Sequence, residues 1–335
     1  MEGNVRVGLI GLGEISLIHE AGYQESGAAQ LAAFCDVDIE RARERAEPYG
    51  AKYYDDYEKL LEDEEVETVD IMLPHYLHYK VAKEALLAGK HVVVEKPVTM
   101  KYQEAMDLIR TAKSMGLRFF VAENTRYVKA YQEILQVLRS GELGNVYYVR
   151  TLIAGSEVAR YSDTGSWIRQ KSRSGGIVLD AGVHTFYLFR WFFGGIKEIK
   201  DAFSWHLLGA DAEDNAVIIG ELSNGAFFVS QFSDTSELPW TERLEVYSRN
   251  GVLLVDQLVN PPAKVYHGTM DEEGRVLGVE YDPVGWKARS IIEEIKDFVG
   301  AIVEKRDSLA DPEDAAYAVK DVEEVQSKLS VREHI

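Results

Sequence analysis

Two short stretches of the sequence combine residue types that can take part in proton transfer. Glu95-Lys96-Pro97 follows three valines in "HVVVEKP", and Asp180 and His184 lie four residues apart in "GGIVLDAGVH". A lysine can hydrogen-bond an oxygen that gains negative charge, and a histidine titrates near neutrality. A helix would place Asp180 and His184 on one face. Taken alone, the charged pair is more often a solvated strand end, and a histidine in so apolar a stretch is more often a buried structural residue.

The first third of the chain alternates between apolar, strand-like runs and helix-like segments. Strands are predicted at 5–11, 30–38, 66–73 and 117–123 and at the valine run, with helices at 14–25, 39–50, 54–63, 78–89 and 101–115. This alternation is typical of βαβ units and a parallel sheet, whose ligands bind at the carboxyl ends of the strands. The sequence therefore predicts an α/β Rossmann domain at residues 1–123, with Lys96 at its ligand-binding edge.

A glycine motif lies between the first predicted strand and the first helix. Gly11-x-Gly13-x-x-Ser16 would allow a tight turn and a close approach of backbone N–H groups to a pyrophosphate. Asp36 follows 20 residues after Ser16, where it can bind a ribose diol and repel a 2′-phosphate, and neither of the next two residues is an arginine. These features predict NAD as the cofactor, with NADP less favoured. The alternative is a tight turn beside an unrelated acid.

Composition excludes several classes of partner. The 335 residues include 56 acidic and 37 basic ones, for a net charge of −19. Such a surface repels nucleic-acid phosphates and anionic lipid, so neither nucleic acid nor membrane is an expected partner. A single cysteine, Cys35, and an amino terminus without a basic and apolar leader indicate a cytoplasmic protein. No residues have the spacing of metal ligands, and His19 has no evident partner in the sequence.

After residue 124 the pattern changes to successive strands. A helix at 127–144 and a strand at 146–155 precede strands at about 196–206, 215–223, 226–233, 243–249, 251–258, 263–268 and 276–281, and helices at 287–304 and 312–330 close the chain. We therefore predict an α+β domain at residues 124–335, built on a large, mostly antiparallel sheet with one open face. Since an open sheet face must be covered, we expect a homodimer or homotetramer formed through it.

Four segments together resemble the Gfo/Idh/MocA family, which includes glucose–fructose oxidoreductase and inositol dehydrogenase. They are "VGLIGLGEISLIH" (7–19), "LPHYLHYKVAKEALLAGKHVVVEKPVT" (73–99), "SWIRQKSRSGGIVLDAGVHTFYLFRWFFG" (166–194) and "RLEVYSRNGVLLVD" (243–256). The resemblance runs in order over essentially the whole chain. It implies an NAD(P)-dependent oxidoreductase that transfers hydride between nicotinamide and a secondary hydroxyl of a sugar, inositol, sugar acid or related polyol.

The resemblance also implies roles for individual residues. By motif position, Lys96, Asp180 and His184 look like the catalytic trio of the family's sugar and inositol dehydrogenases. The expected cofactor contacts are Gly11, Gly13, Glu14, Ile15, Asp36, Pro74, His75, His78, Glu95 and Lys96. The expected substrate contacts are Lys96, Arg126, Tyr127, Trp167, Arg169, Asp180 and His184, because arginine and aromatic side chains suit a sugar pocket. His75 departs from the family pattern, in which asparagine is frequent.

The resemblance leaves two alternatives to a dehydrogenase. Some relatives use the cofactor without net redox chemistry, so a cofactor-assisted sugar dehydratase or glycoside hydrolase is one alternative. The other is a non-catalytic, dinucleotide-sensing regulator, although the presence of Lys96, Asp180 and His184 argues against it. The motifs do not determine which sugar or polyol is the substrate.

Overall fold

A computed structural model describes residues 4–237, 239–258, 262–267, 274–277 and 285–332. Contacts between residues divide the chain into two compact units. The first unit runs to Tyr127 and takes in the later segment that ends at Ala316. The second unit begins at Val128 and takes in the chain from Tyr317 onward.

Strands and helices alternate along the first unit, as the sequence predicts. They are β1 (Val5–Ile10), α1 (Glu14–Ser26), β2 (Ala29–Cys35), α2 (Ile39–Ala46), β3 (Lys52–Tyr54), α3 (Tyr57–Leu61), β4 (Thr68–Ile71), α4 (His75–Leu87), β5 (His91–Glu95), α5 (Tyr102–Met115) and β6 (Phe119–Ala122). The strands pair in parallel in the order β3-β2-β1-β4-β5-β6. Because the order reverses beside β1, ligands of such a sheet bind at the carboxyl ends of β1 and β4. The predicted Rossmann fold is confirmed.

The valine run forms the interior strand β5, which lies between β4 and β6. Val92, Val93 and Val94 are all buried, as expected for a parallel sheet packed on both faces. Each buried valine contributes roughly 1.5–3 kcal/mol relative to an exposed one. The strand ends at Glu95 because Pro97 has no N–H group to continue the sheet, and the Lys96–Pro97 peptide bond is cis.

The remaining elements follow in chain order. The second unit contains α6 (Lys129–Ser140), β7 (Val146–Ala154), α7 (Val158–Ser162), α8 (Lys171–Ser174), α9 (Ile177–Asp180), α10 (Gly182–Phe193), β8 (Ile196–Trp205), β9 (Asn215–Leu222), β10 (Phe227–Ser233), β11 (Thr241–Ser248), β12 (Gly251–Asp256), β13 (Ala263–His267) and β14 (Arg275–Val276). The chain closes with α11 (Trp286–Glu304), α12 (Pro312–Lys328) and β15 (Leu329–Val331). The predicted strand at 276–281 lies, beyond its first two residues, outside the described residues.

The second unit is built on a sheet with the order β14-β13-β12-β11-β7-β10-β9-β8-β15. Its pairs are antiparallel except for β7 with β10 and β8 with β15. Along β7, Val149 and Ile153 are buried, whereas the intervening Arg150 is exposed and Leu152 is half-buried. This alternation means that the two faces of the sheet differ in exposure. The predicted α+β architecture is confirmed.

Helix α11 lies with the first unit, whereas the sequence analysis assigned residues 124–335 to the second. Ile291, Ile295 and Phe298 join the buried core that also contains Val7 and Leu9. A Cβ atom at Gly22 of α1 would lie 2.7 Å from the Cβ of Ile295, so a glycine allows the two helices to approach closely. The chain therefore returns to the first unit because the apolar face of α11 completes its core.

Two local features differ from the sequence-based prediction of the elements. Helix α4 begins at His75 rather than near His78, because Pro74 supplies an extended residue directly before it. Asp180 ends α9 and His184 lies in α10, with Ala181 between the two helices, so the pair does not share one uninterrupted helix. The short helices α7 and α8 and the short strands β3 and β15 were not predicted.

Candidate functional site

The glycine motif forms a turn that only glycine fits at its first position. Gly11 has φ +89°, and a Cβ atom there would lie 2.5 Å from the carbonyl oxygen of Met72. Gly13 precedes α1, and no heavy atom lies within 4 Å of the place where its Cβ would be. The first N–H groups of α1, at Glu14 and Ile15, have no carbonyl partner within the helix. This open helix terminus fits the pyrophosphate of a dinucleotide.

Asp36 joins the end of β2 to this turn. Its Oδ2 accepts a hydrogen bond from the N–H of Leu12 at 2.9 Å, and its Oδ1 accepts one from the N–H of Asp38 at 2.9 Å. Arg41 of α2 also contacts the carboxylate, with Nη1 3.3 Å from each oxygen. The sequence analysis missed Arg41 because it considered only the two residues after Asp36. The placement of Asp36 fits a ribose-binding acid whose charge Arg41 partly offsets.

Two predicted cofactor contacts, His75 and His78, are buried at the start of α4. His78 is fully buried, with Nδ1 2.7 Å from the carbonyl oxygen of Pro97 and Nε2 2.7 Å from that of Leu73. Burial lowers the pKa of the His78 imidazole, although the protonated ring alone can donate to both carbonyl oxygens. These contacts join His78 to two loops, and its contact with the cofactor stays a prediction. Pro74 lies directly before the helix.

Glu95 takes part in a buried network that the sequence analysis missed. Its Oε1 lies 3.0 Å from Nε2 of His19, and Nδ1 of His19 lies 2.8 Å from Oδ2 of Asp70. Tyr23 donates a hydrogen bond of 3.0 Å to the same Asp70 oxygen. Burial by itself would lower the pKa of His19, but Asp70 and Glu95 raise it well above the usual value. His19 is therefore a buried imidazolium between two carboxylates. In the sequence, only its position one helical turn after Ser16 indicated that it lies near the glycine motif.

Lys96 lies at the carboxyl edge of the sheet, as predicted. Its side chain is half-buried, and its backbone N–H donates a hydrogen bond of 2.9 Å to Oε2 of Glu95. One Glu95 oxygen therefore holds the Lys96 backbone while the other contacts His19. Burial opposes ionisation of Glu95, but His19 and Lys96 lower its pKa, so Glu95 is a carboxylate.

The second unit carries Asp180 and His184, each of which is partly exposed. Gly175 and Gly176 precede them, and only glycine fits at these two positions for steric reasons. A Cβ atom at Gly176 would lie 2.2 Å from the carboxyl carbon of Glu213, and one at Gly175 would lie 2.2 Å from the side chain of Leu179. Both glycines also have positive φ angles, so they allow the chain to enter α9 beside the buried Glu213.

A buried acid lies near Asp180. Asp234 follows β10, and its Oδ2 accepts a hydrogen bond of 3.1 Å from the Tyr161 hydroxyl. Burial and the charge of Asp180 raise the pKa of Asp234 to about 7. Arg160 adds positive charge to this group; burial opposes its ionisation, but Asp180 and Glu157 raise its pKa. No pattern in the sequence identified Asp234, which is distant from Asp180 along the chain.

Three predicted substrate contacts bind to other parts of their own unit. Arg126 contacts Asp314 and donates a hydrogen bond of 3.0 Å to the carbonyl of Leu309. Tyr127 donates one of 2.7 Å to Asp297. Arg169 contacts the carbonyl of Tyr161 and donates one of 2.8 Å to that of Gly209, whereas Trp167 is half-buried beside it. These contacts give the two arginines and Tyr127 partners within their own units, and their contact with substrate stays a prediction.

Two kinds of feature, a cluster of metal ligands and a membrane-spanning helix, are absent from the described part of the chain. Within it, no three or more His, Cys, Asp or Glu residues are grouped so as to hold a metal ion. No helix among the same residues is long and apolar enough to cross a membrane.

Comparison with protein families gives two adjacent matches. Residues 5–123 match the Gfo/Idh/MocA model described as "Oxidoreductase family, NAD-binding Rossmann fold". Residues 131–254 match the model of the Gfo/Idh/MocA C-terminal domain. The two matches lie in the two units found in the structure.

Individual proteins agree with this result. An uncharacterised oxidoreductase of Synechocystis sp. is 29% identical over 75% of this chain and 71% of its own length. The myo-inositol 2-dehydrogenase of Thermotoga maritima is 27% identical over 88% of this chain and 87% of its own. A solved structure of levoglucosan dehydrogenase, in complex with NADH and L-sorbose, shares the fold, with a TM-score of 0.87, 20% identity and coverage of 97% and 96% of the two chains. The chain belongs to the Gfo/Idh/MocA family of oxidoreductases, and its first unit is an NAD-binding Rossmann domain.

Proposed function

We propose that the protein is an NAD-dependent dehydrogenase that acts reversibly on a secondary hydroxyl of a sugar, inositol or related polyol. One observation carries this proposal: the carboxyl edge of a single sheet presents the Gly11 turn, Asp36 and Lys96 together. The turn and the acid suit a dinucleotide, and the lysine adds a group that can act on an oxygen. The names of the Thermotoga relative and of the levoglucosan enzyme support a polyol or sugar as substrate.

The cofactor would be held by few residues. The N–H groups at the start of α1 would bind the pyrophosphate, with Gly13 leaving room for it, and Asp36 would accept hydrogen bonds from the ribose. NAD, when bound, supplies the nicotinamide that accepts a hydride from the alcohol carbon. The negative charge of Asp36 favours NAD over NADP because it repels a 2′-phosphate.

The chain's own residues would move the proton and stabilise charge. His184 would accept the proton of the substrate hydroxyl, because an imidazole can act as a base near neutral pH. The Lys96 ammonium would donate a hydrogen bond to a substrate oxygen that gains negative charge. Asp180 would orient either His184 or a neighbouring substrate hydroxyl.

The open face of the second unit's sheet would form a homodimer or homotetramer. Phe227 is exposed there, and Leu152 and Val229 are half-buried. The same face carries the ion pairs of Glu245 with Arg150 and Arg243, and such a mixed face can be covered by a second copy. Light scattering on the purified protein is expected to give a dimer or tetramer, and Val229→Glu is expected to weaken it. A monomeric wild-type protein would contradict this part of the proposal.

A substrate panel tests the activity directly. The purified protein is incubated with NAD⁺ or NADP⁺ and with myo-inositol, levoglucosan, a methyl glucoside, a sugar acid or a nucleotide sugar, and the absorbance of the reduced cofactor is followed. We expect reduction of NAD⁺ by at least one neutral polyol and a slower reaction with NADP⁺. Tight NADH binding without reduction by any alcohol would instead support a regulator.

The panel also separates the proposal from the dehydratase and hydrolase alternatives. Nitrophenyl glycosides are added to the same protein loaded with NAD⁺. Release of nitrophenol without net accumulation of NADH would indicate a hydrolase that uses the cofactor transiently. Loss of water from a sugar without net reduction would indicate a dehydratase.

A further inference from the structure

Lys96 lies between two residues that each contact a buried histidine. Glu95, before it, is bound by His19 of α1 at 3.0 Å. Pro97, after it, offers its carbonyl oxygen to His78 of α4 at 2.7 Å. Both histidines have no exposed surface. The two rings, from two different helices, therefore hold the Glu95 side chain before Lys96 and the Pro97 carbonyl after it.

The sheet itself does not hold this turn. The pairing between β5 and β6 ends with Glu95 opposite Ala122. Beyond it, the N–H of Lys96 is bound by the side chain of Glu95, and Pro97 has no N–H to donate. The direction in which the chain leaves β5, and with it the direction of Lys96, depends on side-chain contacts.

His19 has the stronger of the two sets of contacts. Both of its ring nitrogens lie within 3.0 Å of carboxylate oxygens, from Asp70 and Glu95. Only an imidazolium can donate to both at once. Glu294 of α11 is also fully buried near this group, and burial together with the charges of Glu95 and Glu123 raises its pKa well above the usual value. Glu294 is therefore neutral and does not compete with Glu95 for His19.

A purely structural role explains these contacts poorly. Buried charged groups are costly, and well-packed apolar residues of similar size are often equally or more stable at such places. Here the charged contacts run from Asp70 through His19 to Glu95, whose other oxygen accepts a hydrogen bond from the N–H of Lys96. This arrangement is expected of residues that orient a reacting group. A small displacement of such a group slows the reaction.

We propose that His19 and His78 are positioning residues that fix the turn on both sides of Lys96 and thereby orient its ammonium group. The inference rests on the proposed function, in which Lys96 acts on the substrate oxygen. His19, with its two carboxylate partners, has the larger share of this role. His78 connects the same turn to the loop that follows β4 through the carbonyl of Leu73.

A double-mutant cycle with Lys96 tests the proposal. Single-turnover reduction of NAD⁺ is measured in His19→Gln, Lys96→Met and the double variant, with the alcohol of the panel that the wild-type protein oxidises fastest. His19→Gln is expected to slow the reaction about 10- to 100-fold, as expected for a misplaced reacting group. In the Lys96→Met background the same substitution is expected to have almost no further effect, because nothing remains to be oriented. NADH affinity should be unchanged throughout.

The outcomes separate the inference from the proposed function. If the rate losses of His19→Gln and Lys96→Met multiply in the double variant, the positioning role alone is overturned. A normal rate in Lys96→Met would overturn the role of Lys96 in the proposed function, and the positioning role with it. His91→Gln is the matched control: His91 lies at the other end of β5, accepts a hydrogen bond of 2.9 Å from the N–H of Arg118, and is expected to leave the rate unchanged.

A measurement without cofactor or substrate completes the test. Lysines are reductively methylated with ¹³C-formaldehyde, and the Lys96 resonance is assigned by its absence in Lys96→Met. The positioning role predicts that His19→Gln shifts this resonance and that His91→Gln does not; an unmoved resonance in a folded His19→Gln protein contradicts it. If His19→Gln does not fold, His78→Gln takes its place in the cycle and in this measurement, with a smaller loss expected.

Discussion

Two buried groups of acids, one around His19 in the first unit and one around Asp234 in the second, have opposite kinds of charged neighbours. In the first, His19 lies between Asp70 and Glu95, so opposite charges compensate one another at 2.8 and 3.0 Å. In the second, the buried Asp234 lies near another acid, Asp180, and its pKa is raised to about 7. Charge compensation fixes protonation over a wide pH range, whereas burial beside a like charge brings titration close to neutrality. The His19 group of the first unit is therefore a fixed set of charges, whereas Asp234 of the second unit responds to pH.

The largest expected effect is the loss of the candidate base in the second unit. His184→Asn should slow hydride transfer by roughly 10²–10⁴, the range of general acid–base catalysis, while NADH affinity is retained. The measurement is single-turnover NAD⁺ reduction. His206→Asn is the control, because His206 contacts only the carbonyl of Ala212, at 3.0 Å, among the contacts described for it. A near-normal rate in His184→Asn would remove His184 from the mechanism.

The next effect tests the fixed charges of the first unit. Lys96→Met should slow hydride transfer by roughly 10²–10³, because one preorganised donor to a developing oxyanion is lost. The melting temperature should hardly change, since methionine keeps most of the side-chain length. Lys101→Met, an exposed neighbour in the same loop, should leave the rate unaltered. If both variants react normally, Glu95-Lys96 is a solvated strand end after all.

A third prediction concerns the pH response of the second unit. The pKa of Asp234 rises from 3.8 to about 7 on folding, so the folded state binds the extra proton and loses stability as pH rises through this window. Asp234→Asn removes this loss. Relative to wild type, the variant should gain stability between about pH 4 and 7, by a few kcal/mol at most, since one pKa unit corresponds to about 1.4 kcal/mol.

Urea unfolding at pH 5 and pH 8 checks this expectation. The difference in unfolding free energy between Asp234→Asn and wild type should be larger at pH 8. Asp201→Asn, at an exposed position of the same unit, serves as the control and should show little change with pH. A difference that is equal at the two pH values would mean that Asp234 is already ionised at the lower one.

The smallest effect concerns coenzyme choice. Arg41 contacts both oxygens of Asp36 at 3.3 Å, and about half of its side chain is exposed. Arg41→Gln should raise the preference for NAD over NADP about two- to fivefold in kcat/KM, as expected for an exposed ion pair worth at most about 1 kcal/mol. Arg43→Gln on the same helix, where Arg43 pairs with Glu40, should not change the ratio. An unchanged ratio in Arg41→Gln would show that the arginine does not offset the charge of Asp36.

The sequence alone determined the features that depend on residues close together in the chain. Alternating apolar runs and helices specify the parallel sheet, because each element's period is fixed by its own backbone geometry. The positive φ of Gly11 and the missing N–H of Pro97 act on their immediate neighbours, so the cofactor turn and the end of β5 were predictable. Asp36 was predictable because a fixed motif length separates it from the glycine turn.

Only the tertiary structure decided which distant side chains meet. His19 is 51 residues from Asp70 and 76 from Glu95 along the chain, and Tyr127 is 170 from Asp297. Helix α11 likewise joins the first unit after strands β7 to β14 of the second have intervened. Such contacts are set by the packing of complete elements against one another, and no short-range periodicity records them. For that reason the partners of Arg126 and Tyr127 were not predicted, and neither was the contact of His19 with Glu95.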